Sequence, residues 1–165
     1  MIEYFRPKEC LESIYQVDFE GLRNRKIKGL IMDLDETLLP REMNAITPVL
    51  FSFIDRIKSY GFSIYLLSNS MREERVEHVG KTLSIPWMTL SMKPLPFAFN
   101  HVRTKFGLES REIAVIGDQL FMDILGGNLS GMHTILVRPM SPETMWIRKV
   151  MRLLEKWVLD RLEIS

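Results

Sequence analysis

Among its 165 residues the chain has a single cysteine, Cys10. An internal disulfide is therefore excluded, and a reducing compartment fits; the thiol reads as a small buried or half-buried side chain rather than a reactive group. Long apolar runs are also missing. No segment approaches the roughly 18 uninterrupted apolar residues of a membrane span, and the N-terminus MIEYFRPKEC has no basic stretch leading into an apolar one. The expectation is a cytoplasmic chain, with peripheral contact at the inner face of a membrane left open. Nor is there charge of one sign. The 22 Lys and Arg balance 21 Asp and Glu, for a net +1, which gives no reason to expect a nucleic-acid partner. His78, His101 and His133 have no metal-ligand spacing, and no repeat or low-complexity tract interrupts the chain.

What is present is a composition of 46% hydrophobic and 26% charged residues, suited to one compact domain over 1–165. Apolar runs of strand length recur at 28–34, 62–68, 87–91, 112–118 and 133–138. They lack period-2 alternation, as do parallel strands covered on both faces. Helical segments lie between them: Thr47 and Pro48 read as an N-cap and first-turn proline, followed by apolar residues at helical spacing up to Gly61. Residues 71–83 and 96–107 read similarly, and 119–131 is a shorter candidate carrying a glycine pair. Alternating strands and helices predict a doubly wound, mainly parallel α/β domain in three layers, with its core over about 24–140.

Ligands of such sheets collect beyond the carboxyl ends of the strands. Asp33 and Asp35 end the first strand, Ser68 and Asn69 the second and Asp118 the fourth, while Lys93 follows the third. Carboxylates a few Å apart repel by about 4 kcal/mol at an effective dielectric constant near 20. A hard divalent cation such as Mg²⁺ removes that cost and draws phosphate oxygens in. Lys93 suits a phosphoryl group or a brace for Asp33, and the Ser68 hydroxyl and Asn69 N–H can donate to phosphoryl oxygens. A carboxylate aimed at phosphorus makes this a site for covalent phosphoryl transfer.

The segments DLDETL (33–38), LLSNS (66–70), SMKP (91–94) and GDQLFMD (117–123) resemble, in order, the four motifs of the haloacid dehalogenase superfamily. That resemblance implies Asp33 as the nucleophile of an aspartyl-phosphate and Asp35 as general acid and base. It implies Ser68, Asn69 and Lys93 around the phosphoryl group, and Mg²⁺ held by Asp33, the Asp35 carbonyl and Asp118. Asp123 matches a second acid of the fourth motif, in or just outside the metal shell. Acid at position 35 favours a phosphatase. About 27 residues separate the first two motifs and about 20 separate Asn69 from Lys93, too few for a cap domain, so the site is expected to be open to a large substrate. Within the superfamily, the lead-in and the GGNLSGMHTILV segment look most like the YqeG-type branch of subclass IIIA. Phosphatidylglycerophosphate phosphatases belong to that branch, which implies a phosphorylated substrate with a lipid head group. A phosphoserine protein phosphatase and a catalytically silent phospho-ligand module are the alternatives.

The segment from Ser141 to about 163 reads as one amphipathic helix, capped by Ser141 and Pro142. Its stripe, Trp146, Val150, Leu153, Leu154, Trp157 and Val158, could pack on the domain, on a second copy in a homo-oligomer, or on anionic lipid. Arg148, Lys149, Arg152 and Lys156 fall on the remaining surface. Arg72 and Arg75 read as solvated helix charges or as contacts to a substrate phosphate, and Arg41 and Glu42 as rim residues.

Overall fold

A computed structural model describes residues 2–142 and 146–164. Six strands form a single parallel sheet: β1 (Glu9–Leu11), β2 (Gly29–Met32), β3 (Ser63–Leu67), β4 (Trp87–Met88), β5 (Ile113–Gly117) and β6 (His133–Val137), in the order β1-β6-β5-β2-β3-β4. Strands β2 and β5 are buried along their whole length, which explains their unbroken apolar sequences.

Successive residues of β2 point to opposite faces. Leu30 and Met32 join a core with α1 (Phe19–Asn24), α2 (Pro48–Ser59) and α3 (Glu73–Leu83), through Phe19, Leu50, Ile54, Val76 and Val79. Ile31 faces the other layer, with Tyr65, Val115 and, from α4 (Pro96–Phe106), Phe99 and Val102. The expected cap of α2 forms: the Thr47 side chain accepts from Leu50 N at 3.2 Å, a bond worth about 1 kcal/mol. The segment 119–131 splits into a wide turn, Leu120–Ile124, and α5 (Leu125–Leu129). Its glycine pair is a packing device. A Cβ on Gly126 would come within 2.3 Å of the Phe99 ring, and one on Gly127 within 2.6 Å of Thr134.

Strand β1 has no counterpart among the expected elements. Three residues with one mainly apolar side chain carry no periodic signal, and backbone pairing with β6 at the sheet edge is what makes them a strand. Cys10, expected to be at least half-buried, is exposed there.

The C-terminal helix α6 (Trp146–Arg161) also differs from expectation. Its expected start lies partly at 143–145, outside the described residues, and Ser141 gives its N–H and hydroxyl to the Glu36 carboxylate at 2.8 and 2.6 Å. Of the anticipated stripe only Val158 is buried, packing with Leu162 against Leu120 and Ile124. Trp146, Val150, Leu153, Leu154 and Trp157 are exposed, together with Ile147. Among the described residues no helix is long and apolar enough to cross a membrane.

Candidate active site

Between β2 and β5 the strand order reverses, because β3 and β4 extend the sheet on one side and β6 and β1 on the other. Asp33 and Asp118 leave these two strands side by side at their carboxyl ends. Asp33 N still donates to Ile116 O at 3.0 Å, so the backbone under the carboxylate is fixed by sheet pairing.

Lys93 is the hub of the cluster. Its ammonium donates to Asp33 Oδ1 at 2.6 Å, Asp123 Oδ1 at 2.7 Å and Leu67 O at 2.8 Å, filling its three N–H positions. Asn69 holds the Lys93 segment in place: its Oδ1 accepts from Ser91 Oγ at 2.8 Å and Lys93 N at 2.9 Å, and its Nδ2 donates to Lys93 O at 3.0 Å. Ser68 is buried at the end of β3, where its hydroxyl oxygen accepts from Ser70 N at 3.1 Å and the O–H proton can point elsewhere.

One carboxylate oxygen each of Asp33, Asp118 and Asp123 lies within 4.8 Å of the other two, all three residues being buried. Asp123 reaches this position because residue 117 is glycine. A Cβ there would lie 2.2 Å from the Asp123 carboxyl carbon. Asp123 Oδ2 also accepts from Gln119 N at 3.2 Å, so both of its oxygens are engaged by protein donors. The Thr37 hydroxyl stands 3.4 Å from Asp33 Oδ2 and 3.3 Å from Asp118 Oδ1, and its one proton cannot serve both.

Burial raises the pKa of Asp33, and repulsion from Asp123 adds to it, against the pull of Lys93. Burial and the Asp33 charge push Asp118 up to about 8, against Arg152. Lys93 goes the other way: burial would lower its pKa, but Asp123 and Asp33 hold it above the ordinary lysine value. Three carboxylates thus face two fixed cations, Lys93 and Arg152. An all-oxygen donor set with surplus negative charge fits a hard divalent ion.

Asp35 stands apart from this cluster. Its carboxylate receives a charged hydrogen bond from Arg75 Nη1 and lies 3.5 Å from Arg41 Nη1. Arg75 is buried and also donates to the carbonyls of Pro40 and Met43, each at 3.0 Å. It is neither a solvated helix charge nor a free phosphate contact, as the sequence suggested, but the clamp on Asp35. Arg72 is tied to the Arg41 carbonyl at 2.6 Å. Arg152, expected on open surface, reaches across from α6 to Asp118. Thr37 and Arg152 are not assigned to the site from the sequence, and Arg75 reads there as a solvated charge or a phosphate contact rather than as the partner of Asp35, since no local pattern fixes which distant group a polar side chain meets.

The family described as mitochondrial PGP phosphatase matches residues 3–141. Probable phosphatase YqeG of Bacillus subtilis is 35% identical over 161 residues, covering 98% of this chain and 93% of that protein. Phosphatidylglycerophosphate phosphatase 1, chloroplastic/mitochondrial, of Arabidopsis thaliana is 29% identical over 175 residues, covering 98% of this chain and half of that longer protein. Among solved structures, a HAD phosphatase from Thermococcus onnurineus superposes with a TM-score of 0.58 at 12% identity, over 78% of this chain and 98% of that one. The cobalt-bound deoxy-D-mannose-octulosonate 8-phosphate phosphatase of Haemophilus influenzae gives 0.53 at 17% identity, over 82% and 89%. At such identities the structural likeness speaks for the fold, and the family match carries the assignment. The chain belongs to the family of the mitochondrial PGP phosphatases, and its fold is the one seen in the HAD phosphatase.

Proposed function

We propose that the chain is a Mg²⁺-dependent phosphomonoesterase that works through an aspartyl-phosphate at Asp33, on a lipid phosphate of the phosphatidylglycerophosphate kind. The observation that carries this reading is the division of labour between the two aspartates of DLDETL. Asp33 is turned into the carboxylate cluster and gripped by Lys93, whereas Asp35 is held outside it by Arg75.

In the proposed reaction the Asp33 carboxylate attacks phosphorus, and the bond to the substrate alkoxide breaks. The protonated Asp35 carboxyl gives its proton to that leaving oxygen. Asp35, now a carboxylate, takes a proton from water as the water oxygen attacks the phosphoryl group, which leaves as phosphate and restores Asp33. Of the two arginines on Asp35, Arg41 makes the longer contact, 3.5 Å, and its release would free an oxygen for the proton. Lys93, its three N–H groups taken, would orient Asp33 and supply positive charge beside the transferring group, while Ser68 and the Asn69 N–H would donate to it. The ion would be held by Asp33, Asp118 and the Asp35 carbonyl, and would supply positive charge for the phosphoryl oxygens. Asp123, with both oxygens engaged, would brace Lys93 rather than bind the ion directly.

A lipid substrate gives the exposed apolar surface a partner. Beside Lys93 the side chains of Leu90, Met92, Leu95 and Phe97 are exposed, and so is the α6 stripe with Lys149 and Lys156 near it. Tryptophan, apolar and basic residues together suit an anionic interface, so the protein would work peripherally at a membrane. The test is phosphate release from phosphatidylglycerophosphate and from p-nitrophenyl phosphate, with Mg²⁺ and with chelator, by wild type and Asp33→Asn. Release only by the wild type with Mg²⁺ is expected; turnover by Asp33→Asn would sink the nucleophile, and turnover in chelator the metal.

A further inference from the structure

Each carboxylate of the cluster has a protein donor on at least one oxygen, and the donors differ. Lys93 takes Asp33 Oδ1, and Lys93 with Gln119 N takes both oxygens of Asp123. On Asp118 the cap comes from α6. Arg152 Nη2 donates to Oδ2 while Nη1 donates to the Asp118 backbone carbonyl at 2.5 Å. The guanidinium is itself held: Nη1 also meets Glu155 Oε2 at 2.9 Å, and the buried Glu155 accepts from Phe121 N at 3.3 Å through its other oxygen. What remains facing the centre is Asp118 Oδ1 opposite Asp33 Oδ2, the two oxygens that share the inadequate Thr37 proton.

We infer that Arg152 is a positioning residue that limits Asp118 to one ligand oxygen and so biases the centre toward Mg²⁺ over Ca²⁺. The inference rests on the proposed reading of Asp33 and Asp118 as metal ligands. Mg²⁺ takes six ligands in near-ideal octahedral geometry, mostly waters plus one or two carboxylates, whereas Ca²⁺ takes six to eight oxygens and accepts bidentate carboxylates. A carboxylate with one oxygen committed to a rigid fork suits the smaller ion. Only a guanidinium spans the carbonyl and carboxylate of one residue at once; a lysine offers a point charge.

Calorimetric titration of the full chain with Mg²⁺ and, separately, Ca²⁺ tests this in wild type, Arg152→Ala and Arg152→Lys. Loss of the positive charge in Arg152→Ala favours both divalent ions by a similar Coulomb factor, so the ratio of their affinities isolates the geometric effect. We expect the Ca²⁺ to Mg²⁺ affinity ratio to rise by about tenfold in Arg152→Ala, in the range by which outer partners of metal ligands act, and partly in Arg152→Lys. If Arg152→Ala does not fold, Arg152→Gln is to show the same rise. A ratio unchanged in a folded variant overturns the inference alone. A wild type that binds neither ion overturns the metal site itself.

Discussion

Arg75 and Asp35, forty residues apart, form a buried ion pair in which the guanidinium also satisfies two carbonyls of the loop after β2. The arginine therefore ties α3 to the segment carrying the two aspartates; removing it would strip the buried Asp35 carboxylate of its close cation, leaving only Arg41 at 3.5 Å, and the Met43 carbonyl of its guanidinium donor, while the Pro40 carbonyl keeps Met43 N at 2.9 Å.

Arg75→Met, which keeps the apolar stem, should lower stability by about 3 kcal/mol at neutral pH, as for other buried pairs broken from one side. Urea denaturation measures it. A loss below about 1 kcal/mol would show that water or Arg41 replaces the guanidinium.

Asp118 sets a pH dependence in chelator. Its folded pKa, about 8, lies above the ordinary 3.8, so the folded state binds the proton more tightly than the unfolded chain. The contribution is present in full below the ordinary value and is lost as pH rises through about 8. Wild type should lose stability relative to Asp118→Asn between pH 5 and pH 8 in chelator, as measured by urea denaturation at stepped pH, and Mg²⁺ should abolish the trend. A difference flat with pH would show Asp118 ionised throughout.

Leu153 and Trp157 are 67% and 54% exposed on α6, so charged replacements should leave the fold intact. Burying such a side chain in an apolar phase is worth roughly 1.5–3 kcal/mol. Leu153→Glu and Trp157→Glu should each weaken co-sedimentation with anionic vesicles by about tenfold or more. Undiminished binding would count against the lipid surface; a wild-type dimer that the same changes dissociate would assign the stripe to a second copy.

The parts of the fold legible in the sequence are those whose signal is local. The buried runs of β2, β3, β5 and β6, the Thr47–Pro48 cap of α2 and the αL Gly107 after α4 follow from propensity and burial, and all lie where expected. Elements that depend on a distant partner were not legible. Strand β1 exists because β6 offers it an edge, and the exposure of the α6 stripe follows from a narrow buried face, Glu155, Val158 and Leu162, that its apolar spacing did not single out.

The same division holds at the site. The residue types at the strand ends were legible without the fold, and Asp33, Lys93 and Asp118 meet in one cluster because a parallel sheet delivers all its carboxyl ends to one edge. How the charges pair emerges from the three-dimensional packing: Lys93 with Asp33 and Asp123, Arg75 with Asp35, and Arg152 with Asp118. Pairing depends on distance through space and on burial, and residues 30 to 60 positions apart in the chain carry no local pattern that fixes either.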